Sequence, residues 1–436
     1  MGVAYLAAVL QQAGHEVEIF DTTFMKQPLA ELEAMLKRRQ FDLIGLSVMT
    51  SMLESAAAVA GVCRQYSKAL LIAGGPHATV EPESTLGLEG IDAVAIGEGE
   101  SIIAELAAAG GDLSQAKGLC YLEGQRTVRN EPAQLIADLD DIPFPARDLL
   151  PMGRYMAIWY QLDAVRYGLR GTSIMASRGC PFNCAYCQPT LRTLFGKRIR
   201  RRSPANLVAE LVELKRDYNP DGVMWLDDTF LLDNAWTMEL CDQLVEADLG
   251  IIWGCNIRAD VADKEMVAYM QKAGLRIVHV GIESASQRIL DEVYQKGITI
   301  QQVRQAVGDA HDLGLNVRGY FMLGAPTETE AEVRATVRLA NELPLDDVTF
   351  SITTPLPHTH LYDKTRHLIS KDFSEFDYYK TPVYREGAGV ESRKLDRMKK
   401  SAYLQFYLGR KRLWRTIKSV LGVSGIRKML LKVQRF

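Results

Sequence analysis

Two stretches of this chain alternate apolar strand-like runs with amphipathic helical ones, and a single proline-bearing segment separates them. That alternation admits few folds, because strands separated by helices pair in parallel and a parallel sheet needs helices on its faces. The first stretch has strand runs at Val17–Asp21, Asp42–Val48, Ala69–Gly74 and Ala93–Ile96, with helical patterns at Leu29–Arg39 and Leu53–Tyr66. It predicts a doubly wound, flavodoxin- or Rossmann-like sheet, in which ligands bind beyond the carboxyl ends of the strands. A hairpin over Gly118–Glu123 and Arg126–Asn130 follows, then the segment Asp138–Arg147, which has two prolines and no helical period. From Thr172 the alternation restarts with six strands: Thr172–Ser177, Gly222–Leu226, Ile251–Ile257, Ile277–Ile282, Asn316–Leu323 and Asp347–Thr353. Ser203 before Pro204 predicts a capped helix start, and Thr327 with Glu330 a capping box for the helix running to Leu343. Six βα units predict a partial TIM-type barrel with its chemistry at the carboxyl strand ends. The expected organisation is a sheet domain over 1–131, a linker over 132–168, a barrel over 169–385 and a basic helical tail over 386–436.

Chemistry-bearing residues fall on one rim of that barrel. Cys180 lies three residues beyond the first strand, Asp227 and Asp228 end the second, Arg258 the third and Glu283 the fourth, and Gly324-Ala325-Pro326 ends the fifth. Cys180-Pro-Phe-Asn-Cys184-Ala-Tyr-Cys187 supplies three thiols within eight residues. Thiolates hold iron–sulfur clusters, and three of them leave one iron of a four-iron cube open to a ligand. Structural zinc is the competing reading, but it wants four ligands in closed tetrahedral geometry and no fourth lies nearby. With seven cysteines in 436 residues, reduced cytosolic thiols and one metal site fit better than a disulfide framework.

The C-x3-C-x2-C loop, with Tyr186 before its last cysteine, resembles the signature of the radical S-adenosylmethionine (SAM) superfamily. The resemblance implies that Cys180, Cys184 and Cys187 hold a four-iron, four-sulfur cluster whose fourth iron chelates SAM. Reductive cleavage of SAM would then give a 5′-deoxyadenosyl radical able to take an unactivated hydrogen. By the same resemblance Tyr186, Asp227, Asp228, Arg258, Glu283, Gly324 and Pro326 contact SAM. Arg258 would meet its carboxylate and Glu283 its ribose. Thr327 stands where the family's fifth-strand motif usually has glycine.

Four features of the N-terminal region resemble the cobalamin-binding domain found upstream of many such barrels: Ser47-Val-Met-Thr50, Gly74-Gly75-Pro76-His77, Gly97-Glu98-Gly99-Glu100 and the Ile142–Pro145 linker. Ser47, Thr50, Gly74, Gly75, His77, Gly97, Glu98 and Gly99 are the implied cobalamin contacts. The N-terminal region has no Asp-x-His-x-x-Gly motif, so no histidine is expected to ligate the cobalt from below, and His77 reads as a loop residue near the corrin. The family domain opens on a strand, whereas this chain opens on the helical pattern of Met1–Ala8. The sheet is therefore expected to lack its first strand, and the reading frame to extend upstream.

Charge is unevenly spread. Residues 393–436 hold 14 Lys/Arg against one acid, Asp396, so of the net −3 the tail carries +13 and residues 1–392 carry −16. Amphipathic basic runs at Arg410–Lys418 and Ile426–Phe436 suit an anionic membrane surface or a helical lid packed on the barrel. No run of 18 apolar residues and no secretory signal is present, so the expected location is cytoplasmic, peripheral to the inner face of the membrane. The function expected by resemblance is cobalamin-dependent methyl transfer to an unactivated carbon of a small molecule, lipid among the candidates. A reductant such as flavodoxin or ferredoxin is the expected partner, and nucleic acid is not. A non-methylating radical oxidoreductase or cyclase is the alternative. An RNA methylthiotransferase would need a further N-terminal cysteine trio, where only Cys63 and Cys120 occur, and a non-catalytic metal-stabilised protein would release no 5′-deoxyadenosine.

Overall fold

The computed structural model describes residues 1–369, 372–377, 384, 389–409, 412 and 413. Two α/β units follow one another. The N-terminal sheet contains β1 (Leu43–Ser47), β2 (Leu70–Gly74), β3 (Ala93–Ala95), β4 (Leu119–Glu123) and β5 (Arg126–Arg129), in that spatial order. The first three strands are parallel, and the expected hairpin extends them antiparallel through β3–β4. The sheet is therefore mixed rather than wholly parallel. The alternation of the first stretch reads correctly for the parallel part because each of those strands is followed by a helix.

Val17–Asp21 does not become a strand. Within the sheet β1 pairs only with β2, so among the described residues no strand lies beside this segment to complete a ladder. Its apolar side chains pack elsewhere: Val17 and Ile19 lie against Ala7, Ala8 and Ala146. Asp21 accepts a 2.6 Å hydrogen bond from the Tyr155 hydroxyl, and Arg154 stacks over Phe24 at 4.2 Å. The helix Met152–Ile158 thus holds a segment whose alternation looked strand-like.

The barrel starts with β6 (Gly171–Ile174). Two-residue strands β7 (Ser177–Arg178) and β8 (Arg200–Arg201) then pair antiparallel with each other and form a neck under the intervening loop. Next come β9 (Gly222–Trp225), β10 (Ile252–Ile257), β11 (Leu275–Glu283), β12 (Asn316–Leu323) and β13 (Asp347–Ile352). With β6 they make a six-stranded sheet in chain order, all parallel, each strand beside its predecessor. Curled into a half-barrel, it buries Trp225, Trp253, Phe321 and Phe350 with the apolar faces of its helices.

Local signals explain the helix ends. The Ser203 hydroxyl accepts from the Asn206 amide at 3.2 Å, Pro204 takes the first helical position, and the helix Pro204–Tyr218 stops at Asn219 in the left-handed conformation, φ 44°. The expected Thr327–Glu330 capping box is instead Thr329 with Glu332, at the start of the helix Glu330–Glu342. Thr327 lies two residues earlier with φ 64°, outside any helix. The helix Ser392–Leu408 packs on the barrel through buried Leu395, Ala402 and Phe406. Apart from Arg412 and Leu413, the expected basic amphipathic runs lie outside the described residues. Among the described residues no helix is long and apolar enough to cross a membrane.

Candidate active site

The cysteine loop hangs over the barrel mouth from the β7–β8 neck. Asp227, at the end of β9, holds the neck from the barrel side: its carboxylate accepts from the Ser177 hydroxyl and, at 3.3 Å, from the Ala176 amide. Burial raises the Asp227 carboxyl to about 6, against the lowering pull of the Ser177 hydrogen bond. Leu226 and Asp228, on the opposite side of the chain, are exposed. Of the two expected acids, then, Asp227 braces the loop and only Asp228 faces open space.

Cys184 is buried and Cys187 is solvent-accessible within the mouth. Burial pushes the Cys180 thiol up. No three His, Cys, Asp or Glu side chains among the described residues converge on a single ion. Cys241 and Cys255 belong to the apolar core, on a helix and on β10, and join no site.

Arg258 follows β10 and lies beneath the loop. Its guanidinium is already engaged: Nε and Nη2 donate to Asp260 at 3.0 and 2.9 Å, and Nη2 also donates to the Lys296 carbonyl at 2.8 Å. Nη1 reaches the Cys184 sulfur at 3.4 Å, and the plane stacks on Phe182 at 3.6 Å. In this structure Asp260 occupies the fork expected to meet a carboxylate, and the remaining nitrogen touches the cysteine loop.

Glu283 ends β11 at a register shift, with φ 65°. A non-glycine residue in the left-handed region is held there by its surroundings, and such residues gather at functional sites. Lys296 Nζ donates to Glu283 Oε1 at 2.5 Å and to the Tyr186 hydroxyl at 3.2 Å. Tyr186 in turn donates to the same Oε1 at 3.2 Å. Lys296 escapes sequence reasoning; its only signal is a lysine immediately before a glycine, Gly297, in the loop after a strand end. Glu328 escapes it too. Its Oε2 accepts from the Gly324 and Ala325 amides at 2.6 and 3.0 Å, which shapes the fifth-strand turn, and burial raises its carboxyl to about 7.

The N-terminal sheet gathers its expected residues at its carboxyl edge. Gly75, at φ 99°, turns so close to β1 that a Cβ would meet the Val48 carbonyl at 3.0 Å. His77 is fully buried, with Nδ1 3.0 Å from the Thr50 hydroxyl and its ring edge-on to Phe373. Burial lowers its imidazole to about 4, helped by His358. Gly97, at φ 105°, borders open space, while a Cβ at Gly99 would press on Leu6. Glu98 does not face that edge freely: Arg178, Arg200 and the Ile136 amide take its carboxylate.

Residues 174–340 match the model of the radical SAM superfamily, and residues 1–107 that of the B12 binding domain. An uncharacterized methyltransferase of Pyrococcus horikoshii is 35% identical over 417 residues, which span 94% of this chain and 87% of that protein. The chain belongs to the cobalamin-binding radical SAM family. Another relative, the anaerobic magnesium-protoporphyrin IX monomethyl ester cyclase of Cereibacter sphaeroides, is 27% identical and covers 93% of this chain and 66% of its own length. The structure of the radical SAM methyltransferase TsrM from Kitasatospora setae, with cobalamin and cluster bound, shares the fold: TM-score 0.70 over 84% of this chain and 71% of that one, at 21% identity.

This radical SAM enzyme uses a four-iron, four-sulfur cluster, SAM and cobalamin. The residues present fit all three. Cys180, Cys184 and Cys187 are unpaired thiols on one loop at the barrel mouth, and an all-thiol set suits a cube, whose thiolates bind different irons. Lys296, Glu283 and Tyr186 set a buried cation and a carboxylate together beside the cysteine loop, polar chemistry of the kind a charged, ribose-bearing cofactor needs. Gly97 has no atom within 4 Å of where a Cβ would lie, so a ligand can approach the backbone closely there.

Proposed function

We propose that this enzyme moves a methyl group from SAM, by way of cobalamin, to an unactivated carbon of a small molecule. One observation carries the reading: Glu98, on the rim of the cobalamin domain, pairs with Arg178 and Arg200 at the neck of the cysteine loop. Two cofactor rims that meet in this way suit a reaction that needs both. When bound, cluster and SAM supply a hydrogen-abstracting 5′-deoxyadenosyl radical, and cobalamin supplies the methyl-transfer chemistry.

The chain's own residues then divide the labour. Cys180, Cys184 and Cys187 ligate the cluster. Tyr186 and Lys296 hold Glu283 toward the SAM ribose, and Arg258 meets the SAM carboxylate. Asp228 serves its amino group, and Gly324 and Pro326 border its adenine. Ser47, Thr50, Gly74, Gly75, Gly97 and Gly99 would line the cobalamin rim, and His77, buried against Thr50 and Phe373, would back that rim without ligating the metal. A donor such as flavodoxin or ferredoxin reduces the cluster. The +13 tail draws the enzyme to the anionic inner face of the cytoplasmic membrane, where a lipid substrate resides.

The relative that is a cyclase gives a second reading, oxidative ring closure without methylation. Product analysis separates the two. Methyl transfer releases S-adenosylhomocysteine from the donor molecule of SAM and 5′-deoxyadenosine from the radical source, in equal amounts. Reconstituted enzyme given cobalamin, dithionite, trideuteromethyl-SAM and a lipid extract as methyl acceptor is therefore expected to accumulate both nucleosides together, with the label in the lipid fraction. If 5′-deoxyadenosine accumulates without S-adenosylhomocysteine, methyl transfer is wrong and the cyclase reading stands.

A further inference from the structure

The Gly97–Glu100 run was expected to serve cobalamin, yet its two carboxylates cross the domain boundary. Glu98 Oε1 accepts from Arg178 Nη1 at 2.8 Å and Arg200 Nη2 at 2.9 Å. Its Oε2 accepts from Arg200 Nη1 at 2.8 Å and from the Ile136 amide at 2.9 Å. Glu100 takes the other arm of Arg178, with Nη2 on Oε1 at 2.5 Å and Nη1 on Oε2 at 3.3 Å. The side chains of Arg178, Glu98 and Glu100 are at most 9% exposed. Two acids and two arginines balance in charge, and every oxygen of Glu98 has two donors.

Such a network is a poor source of net stability, because desolvating four charges offsets most of their attraction. Its geometry is what distinguishes it. Arg178 and Arg200 are opposite each other in the β7–β8 ladder. The cysteine loop leaves the barrel at one and returns at the other. Only Gly179 separates Arg178 from Cys180, and its φ of 97° turns the chain so tightly that a Cβ would meet the Arg198 carbonyl at 3.1 Å. Asp227 fixes the neck from the barrel, through Ser177 and Ala176. Glu98 fixes it from the other domain, one residue past Gly97 on the cobalamin rim.

We propose that Glu98 is a positioning residue that sets the separation and orientation of the iron–sulfur cluster relative to cobalamin by gripping both neck arginines. The inference rests on the reading that both cofactors occupy one molecule. It adds that their mutual geometry is fixed by this carboxylate and not only by each cofactor's own contacts. Glu98→Gln keeps the shape but removes the charge and sets an amide N–H against an arginine donor. Arg178→Lys keeps the charge but loses the fork that spans Glu98 and Glu100.

The test uses the holoenzyme with the cluster reduced and the cobalamin as cob(II)alamin, both paramagnetic, so that pulsed EPR reads the distance between them. A single narrow distribution is expected for the natural sequence. Glu98→Gln should keep its full iron and cobalamin content but give a broadened or shifted distribution. Substrate turnover per SAM cleaved should fall by up to about 10²-fold, the order expected for a misplacement near 1 Å. Arg178→Lys should fall between the two. An unchanged distribution in fully loaded Glu98→Gln overturns the proposal. So does loss of cobalamin alone, which would make Glu98 a cofactor contact. If Glu98→Gln does not fold, Arg200→Lys carries the same expectation and the same refutation. Failure of the natural protein itself to hold cobalamin is a separate outcome: it removes the cofactor reading and this inference with it.

Discussion

Lys296 Nζ lies 2.5 Å from Glu283 Oε1, and the Tyr186 hydroxyl is 3.2 Å from each of those atoms. Lysine and glutamate side chains are 5% and 9% exposed, so the pair is buried beside the cysteine loop. Removing one partner strands the other charge in a poorly solvated place.

Lys296→Met should therefore lower the unfolding free energy by about 3–5 kcal/mol, the usual effect of breaking a buried pair. The double variant with Glu283→Gln should recover more than half of that loss, although both variants bind SAM weakly. Urea unfolding of the single and double variants checks this. Equal losses in the two would show that the pair is not the source.

Iron and acid-labile sulfide should each reach about four per chain after anaerobic reconstitution, as one cubane cluster requires. Alanine at Cys180, Cys184 or Cys187 should abolish the cluster, whereas Cys255→Ala should keep it. Arg258→Ala should retain less iron through gel filtration, because Nη1 touches the Cys184 sulfur. One zinc per chain and no iron would refute the assignment.

Glu328 gives a pH signature. Burial raises its carboxyl from 4.5 to about 7, so the folded chain holds this proton more tightly than the unfolded one. The resulting stability is whole below pH 4.5 and is lost as pH climbs through about 7. Glu328→Gln does not titrate, so its penalty relative to the natural chain should shrink between pH 5 and pH 8, by roughly 2–4 kcal/mol. Urea titrations at the two pH values measure it, and a penalty independent of pH would contradict the buried-acid account.

Liposome flotation addresses the tail. The Phe406 side chain is fully buried, and Arg412 donates to the Leu343 and Leu345 carbonyls, so a clean truncation must begin after Leu413. Deleting residues 414–436 should abolish binding to anionic vesicles at low salt and leave the unfolding midpoint unchanged. Binding of the whole chain should weaken as salt rises. A whole chain that ignores such vesicles at low salt has no membrane-binding tail.

Strand positions were legible wherever a strand had neighbours to pair with. Asn316–Leu323 matches residue for residue, but Val17–Asp21 carries the same alternation and spends it on a helix. The cluster loop was legible because its ligands are local in sequence. Parity along β9 could also have separated Asp228 from Asp227, since successive residues of a strand face opposite ways. Other parts of the site were closed to such reasoning. Nothing in the spacing tells that Asp260 folds back on Arg258, that Lys296 returns to Glu283 across thirteen residues, or that Glu98 reaches Arg178 in another domain. The first two depend on how loops at the barrel mouth fold back, and the third on how two separately wound sheets dock.

The ion network at the neck also sets an order of assembly. Chains emerge N-terminus first, and about a hundred residues separate Glu98 from Arg200, so synthesis at about 5–20 residues per second leaves the acids waiting roughly 5–20 s for their last partner. Until then both carboxylates stay hydrated, and the first domain leaves the ribosome with a charged, unglued face. Closure of that face waits on the arrival of β8, by which time the three cysteines have already been made. The lock on the cysteine loop is therefore among the later contacts that synthesis makes available, its last arginine following Cys187 by thirteen residues.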